Sequence, residues 1–283
     1  MSDLAARPGP WEKAPVSAGA GRRCPRLAPL AVPALLLALF LAVPLLALVW
    51  RTLGEPGFLA ALQRPLVLRA LRLSALTTLV TLAVAVVTGT PLAYLLARRD
   101  FRGKRVVESV IDLPLVLPPV VAGVALLMAF GRRGLLGEAL GSVGIELPFT
   151  TAAVVLAQIF VSVPFYVRGA RVGFQAVPVE IEEAAAIDGA DAWQTLRRVT
   201  VPLALPGLAS GLVLCWARAL SEFGATLMFA GNFTGRTQTM PLAIMSAMET
   251  DLSAALALAV LLLAVAATVL LVSRLVAGSR PGP

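Results

Sequence analysis

Six long runs of apolar residues constrain the fold of this chain more than any other feature. We place these runs at residues 27–49, 73–97, 111–130, 149–167, 203–230 and 254–276. A helix needs about 20 apolar residues to cross the hydrocarbon core of a bilayer. Only 14% of the 283 residues are charged, against about 25% in soluble domains. The sequence therefore predicts an all-α, multi-pass membrane protein with about six transmembrane helices.

The two ends of the chain differ from the apolar runs. Residues 1–26 are rich in Pro, Gly, Ala and Arg, a composition that predicts a disordered tail. The first run is longer than the apolar core of a signal peptide, so we expect it to be a retained helix. Residues 27–276 are then one transmembrane domain, and residues 277–283 form a short C-terminal tail.

The basic residues predict the orientation in the membrane. With the N-terminus inside, sixteen Lys and Arg residues lie in inner segments and seven in outer ones. Cytoplasmic loops are enriched in these residues, so we expect both tails to be cytoplasmic. The net charge is +8, but these basic residues flank apolar runs, which disfavours nucleic acid as a partner and indicates a lipid bilayer.

Several chemistries are excluded by residues that the chain lacks. It has no histidine, which removes Ser-His catalysis and His-ligated zinc. No phosphate-binding loop of the form G-x-x-x-x-G-K-[ST] occurs, and the only lysines are Lys13 and Lys104. We expect no catalytic residues, no metal and no cofactor, and we expect that the chain draws energy from another protein.

One inner segment, residues 177–202, has the pattern of two short helices. Pro178 is suited to begin a helix, and Gly189 is suited to end it in a left-handed conformation. Asp191 can cap a second helix, with Gln194 three residues later. Three glutamates lie in the first turns, where the helix dipole favours anions: Glu180, Glu182 and Glu183. From the residues alone, this segment is either a connector that packs on its own bundle or a surface for another protein.

The same segment resembles the Glu-Ala-Ala signature of ABC importer permeases. The match is Glu-Ala-Ala-Ala-Ile-Asp-Gly at 183–189, followed by Val-Thr-Val-Pro at 199–202. Val201 stands where that family usually has Leu. The resemblance implies a MetI-like fold and a coupling helix that docks on a separate ATPase subunit. The implied coupling residues are Glu183, Ala184, Ala185, Asp188 and Gly189.

Other motifs resemble the oxyanion branch of these permeases, and the molybdate permeases in particular. They lie at residues 113–119, 129–137, 216–226, 230–232 and 237–241. Sulfate permeases share the Arg-Ala-x-x-Glu-Phe-Gly core at 218–224. The resemblance implies import of molybdate across a bacterial inner membrane, an extracytoplasmic oxyanion-binding protein and a permease homodimer. Sulfate, thiosulfate or tungstate import is an alternative, and an independent channel or secondary transporter is a second.

Polar and small residues in the fifth run carry further expectations. Arg218 and Glu222 are four residues apart, so they share a helix face and can pair. The two residues line a translocation path, together with Ser221 and Thr226, or they lock the helix to a neighbour. The spacing of Gly207 and Gly211 predicts close helix packing, within the chain or between two copies.

Overall fold

The computed structural model describes residues 28–55 and 57–278. The predicted disordered tail, residues 1–26, and residues 279–283 lie outside this part of the chain. The described residues are helical and contain no β-strand. The helices are α1 (Ala28–Leu53), α2 (Phe58–Leu62), α3 (Pro65–Val84), α4 (Thr90–Arg98), α5 (Lys104–Val116), α6 (Pro119–Phe130), α7 (Gly137–Ser142), α8 (Thr151–Gln175), α9 (Val179–Ile187), α10 (Ala192–Thr195), α11 (Val201–Leu220), α12 (Gly224–Ala230), α13 (Met240–Thr250) and α14 (Leu252–Gly278).

The chain divides into two units, the first ending at Ala47 and the second beginning at Leu48. The described part of the first unit belongs to α1, which contains Pro33 and Pro44. Residues Ala31–Leu53 of this helix have a mean hydropathy of 2.8 and are long enough to cross a membrane. This helix is the predicted first span.

Five helical stretches of the described chain, rather than six, are long and apolar enough to cross a membrane. The difference lies in the predicted third span, which is divided into α5 and the shorter α6. The break falls at Pro118 and Pro119, because a proline inside a helix loses a hydrogen bond and clashes with the preceding turn. The five stretches are Ala31–Leu53, Pro65–Arg98, Thr151–Gln175, Ala192–Leu220 and Leu252–Leu275.

The second and fifth spans each contain a π turn, a wider turn than that of an α-helix. The first covers Ala85–Gly89 and joins α3 to α4, and the second covers Leu196–Thr200 and joins α10 to α11. A proline follows each turn two residues later, at Pro91 and Pro202. Because the ring of a proline clashes with the carbonyl four residues before it, a widened turn relieves the crowding at these places.

The centre of the second unit is α8, which packs against α3, α4, α5, α6, α11 and α12. Its closest partner is α11, where Gly169 and Gly173 meet Gly207 and Gly211 with the backbones in contact. A Cβ atom on Gly173 would lie 2.8 Å from the carbonyl oxygen of Ala204. The close packing predicted for Gly207 and Gly211 is therefore found inside the chain, which decides between the two options left open above.

Candidate functional site

The 177–202 segment folds as its residues predict. Helix α9 begins after Pro178, and Gly189 follows its end with a φ angle of +89°. The backbone N–H of Gln194 donates to Asp191 Oδ1 at 2.8 Å, and the N–H of Asp191 donates to Gln194 Oε1 at 3.3 Å. This reciprocal pair is the predicted capping box, and it fixes the start of α10.

The side of this segment that faces away from the helix bundle is an open surface of small, apolar and acidic residues. Of the five residues that the signature singles out, Ala185 is half-buried and the others are exposed: Glu183, Ala184, Asp188 and Gly189. Two large apolar side chains stand beside them, with Ile187 86% exposed and Trp193 66% exposed. The sequence left two uses for this segment open, and side chains this exposed favour a surface for another protein over a connector packed on its own bundle.

Glu182 holds the side of α9 that faces the helix bundle, a role that the sequence did not reveal. Its Oε1 atom accepts hydrogen bonds from Arg98 Nη2 at 3.0 Å and from Thr200 Oγ1 at 2.7 Å. The partners lie 84 and 18 residues away in the chain. No local pattern predicts such a contact, although an arginine at the end of a span and a glutamate in a nearby inner segment are natural partners.

Two further ion pairs join α5 to α8 at the same end of the helices. Arg171 Nη2 lies 2.9 Å from Glu108 Oε1, and Arg168 Nε lies 3.7 Å from Asp112 Oδ1. A cleft of about 180 Å³ lies beside them. Because every charge here faces an opposite one, the cleft presents no uncompensated charge.

The fifth predicted span does not continue to residue 230 but breaks after α11. Arg218 Nη1 lies 2.5 Å from Glu222 Oε2, which is the predicted pair. The other carboxylate oxygen, Oε1, accepts from the backbone N–H of Ala225 at 2.7 Å. Glu222 is 1% exposed, and the Arg218 side chain is 24% exposed. The carboxylate therefore satisfies a free N–H at the start of α12 and neutralises the arginine at the same time.

The four candidate path residues separate into two pairs. Ser221 is exposed, and its hydroxyl donates to the carbonyl of Arg218 at 3.3 Å. Thr226 is fully buried, and its Oγ1 atom has no hydrogen-bond partner among the described residues. Only Arg218 and Ser221 thus reach the surface of the chain, whereas Glu222 and Thr226 lie behind them.

Gln158, a buried glutamine of α8, supports the break after α11. The sequence did not reveal this role. Its Oε1 atom accepts from Thr81 Oγ1 at 3.1 Å, and its Nε2 atom donates to the carbonyl of Ala219 at 3.0 Å. A glutamine in the middle of an apolar span is the signal that points to such a role, because an amide in hydrocarbon requires partners.

Residues 89–280 match the sequence profile of the family described as "binding-protein-dependent transport system inner membrane component". The chain belongs to this family. Membership makes it a transport subunit of the inner membrane rather than an enzyme, as the sequence predicted. It disfavours the alternative of an independent channel or secondary transporter.

Curated members of the family resemble the chain over most of its length. The molybdenum transport system permease protein ModB of Mycobacterium tuberculosis is 47% identical over 240 residues, covering 85% of this chain and 90% of that protein. ModB of Escherichia coli K12 is 43% identical over 185 residues, covering 65% and 79%. The sulfate transport system permease protein CysW of Synechococcus elongatus is 40% identical over 189 residues, covering 67% and 66%.

Solved structures of ABC importers share the fold. A bacterial ABC transporter involved in the import of the polysaccharide alginate matches with a TM-score of 0.74 at 17% identity, over 90% of this chain and 96% of that one. The MetNI methionine ABC transporter matches with a TM-score of 0.58 at 18% identity, over 76% and 95%. The predicted MetI-like permease fold is confirmed.

Proposed function

We propose that this chain is the membrane-spanning subunit of an ATP-driven importer of molybdate. The observation that carries this proposal is the 47% identity to a molybdenum transport permease over 85% of the chain. Sulfate is the second candidate substrate, because the sulfate permease of Synechococcus elongatus is 40% identical over 67% of the chain. Thiosulfate and tungstate are further candidates, since these oxyanions share negative charge and a tetrahedral shape.

The family and the open surface of α9 support two partners for this chain. A separate ATPase subunit docks on Glu183, Ala184, Ala185, Asp188 and Gly189, and an extracytoplasmic oxyanion-binding protein delivers the anion. The 177–202 segment and both chain termini are cytoplasmic in this arrangement. It is supported by the bias of Lys and Arg residues towards the segments on that side.

The translocation path runs between two copies of the chain. The core that α4, α8 and α11 form is filled by glycine contacts and by buried side chains such as Tyr166 and Phe174, so one copy leaves no central opening there. Arg218 and Ser221 line the path from the break in the fifth span, and Glu222 and Thr226 support them from behind. A guanidinium and a hydroxyl are suitable donors for a tetrahedral oxyanion.

Transport in proteoliposomes tests this function. The chain is reconstituted with its proposed partners, an ATPase and an exported binding protein, and uptake of radiolabelled molybdate is measured with and without ATP. We expect molybdate to accumulate only with ATP and the binding protein. Excess tungstate should lower this accumulation by competition, and excess sulfate should leave it unchanged. Accumulation of sulfate in place of molybdate would support the second candidate. Absence of uptake of every oxyanion would contradict the importer.

A further inference from the structure

One carboxylate oxygen connects three separate parts of the chain. Glu182 Oε1, on α9, accepts from Arg98 Nη2 and from Thr200 Oγ1. Arg98 is the last residue of α4, and Thr200 is the last residue of the π turn that leads into α11. Glu182 therefore links α9 to the end of the second span and to the start of the fifth.

The link is shielded from solvent, unlike most ion pairs on protein surfaces. The side chains of Arg98 and Glu182 are 11% and 15% exposed, and Thr200 is fully buried. Exposed ion pairs contribute little because water competes with them. A shielded, charge-assisted pair with a second donor is stronger and more specific in its geometry.

Arg98 also holds the chain just before α9. Its Nη2 atom donates to the carbonyl oxygen of Val177 at 2.9 Å, so one guanidinium nitrogen contacts both the entrance to α9 and its inner side. By contrast, the neighbouring Glu183 is exposed. The two consecutive glutamates thus have different surroundings, one turned towards the spans and the other towards solvent.

We propose that Glu182 is the positioning residue that transmits movement of α9 to the second and fifth spans. This inference rests on the proposed function, in which an ATPase moves α9. Without the link, α9 keeps its flanking residues and its packing on the second π turn, and the flexible turn at Gly189 absorbs part of a pull on α9. With the link, the same pull reaches α4 and α11 together. Helix α11 carries Arg218 in its last turn and is followed by Ser221.

The test compares ATP hydrolysis with uptake in the same vesicles. The complex of permease, ATPase and binding protein is prepared with Glu182→Ala, and both molybdate uptake and ATP hydrolysis are measured. We expect the ATPase to co-purify in normal amount and hydrolysis to continue. Uptake per ATP hydrolysed falls about fivefold or more, within the usual range of coupling between linked sites.

Two further variants separate positioning from folding. Glu182→Gln keeps an oxygen that accepts from Thr200 and Arg98, so it retains most of the uptake per ATP. Thr200→Val removes one hydroxyl at nearly constant volume and lowers the ratio in the same direction as Glu182→Ala. Glu180→Ala, which changes an exposed glutamate of the same helix, is the matched control and leaves the ratio unchanged.

Two results would overturn the proposal. An unchanged ratio of uptake to hydrolysis in both Glu182→Ala and Thr200→Val would show that the link transmits nothing. Loss of the ATPase from purified Glu182→Ala would show that Glu182 belongs to the docking surface instead. Failure of the proposed function is seen separately, because the wild-type complex itself would then import no oxyanion.

Discussion

The side-chain amide of Gln158, in the middle of α8, donates a hydrogen bond to the backbone carbonyl of Ala219 in the last turn of α11. The Ala219 carbonyl also accepts from the backbone N–H of Glu222 at 3.2 Å, so Gln158 supplies its second hydrogen bond. Since Thr81 donates to the same glutamine, one buried side chain joins α3, α8 and α11. The break in the fifth span is therefore held in place by its neighbours.

Replacement of Gln158 by leucine tests this support. Gln158→Leu leaves the Thr81 hydroxyl and one lone pair of the Ala219 carbonyl without their partner in a buried place. We expect a loss of about 1–3 kcal/mol in the free energy of unfolding, the usual cost of an unsatisfied buried polar group. Thermal unfolding of the purified chain in detergent measures it. Gln175→Leu, at the exposed end of the same helix, is the control, and equal melting temperatures for the two variants would contradict the role of Gln158.

Glu222 is expected to serve both stability and transport. Glu222→Ala removes the partner of Arg218 and the acceptor for the N–H of Ala225. We expect destabilisation by about 3 kcal/mol, the low end for a broken buried pair, since Arg218 is partly exposed. Glu222→Gln keeps the acceptor for Ala225 and should be less destabilised, yet it should still lower uptake. Full uptake by Glu222→Gln would show that Arg218 works without a charged partner.

The contact between α8 and α11 should tolerate no added side chain. In Gly173→Ala the new Cβ atom would lie 2.8 Å from the carbonyl oxygen of Ala204, so the two helices must move apart. Overpacking of this kind costs about 1–3 kcal/mol, and we expect a lower melting temperature and less monodisperse protein in size-exclusion chromatography. Gly141→Ala, where the added atom meets nothing within 4 Å, should match the wild type. If Gly173→Ala had the melting temperature and monodispersity of the wild type, the close approach of the two helices would be wrong.

The exposed face of α9, which points away from the helix bundle, should be required for ATPase binding. Glu183→Lys reverses a charge at the proposed contact, with an expected cost of about 2–5 kcal/mol on the scale of interfacial charge pairs. Gly189→Val places a β-branched residue at a φ angle of +89°, which strains the turn. Both variants should insert in the membrane and lose the co-purifying ATPase. The control Glu138→Lys reverses the charge of another exposed glutamate, and the ATPase should co-purify with it in full. Equal recovery of the ATPase with all three variants would refute the docking surface.

Labelling of single cysteines should report the orientation. In a background without Cys24 and Cys215, Ser142→Cys should react with a membrane-impermeant maleimide added to intact cells. Asp188→Cys should react only after the membrane is permeabilised, because the 177–202 segment is expected inside. The reverse pattern would invert the topology that the distribution of Lys and Arg residues predicts.

The sequence predicts those parts of the fold that depend on neighbouring residues. The turn at Gly189 and the capping box of Asp191 and Gln194 are local, and both are found as predicted. The division of the third span is local too: Pro114, Pro118 and Pro119 already interrupt the run at 111–130 in the sequence, and the helix divides at the last two. By contrast, Glu182 meets Arg98, and Gln158 meets Ala219, only after distant helices have packed.

Each π turn contains one residue more than the α-helix around it needs. A π turn closes its hydrogen bond over one residue more than an α-turn, as where the N–H of Val201 reaches the carbonyl of Leu196. Deletion of one residue within Ala85–Gly89 or Leu196–Thr200, with Pro91 or Pro202 replaced as well, therefore restores an ordinary α-turn and leaves the helix faces on both sides in place. A deletion in the middle of α8 instead rotates every later residue of that helix by about 100° about its axis. The spans that meet at Glu182 can thus change length by one residue during evolution without disturbing the faces they bury.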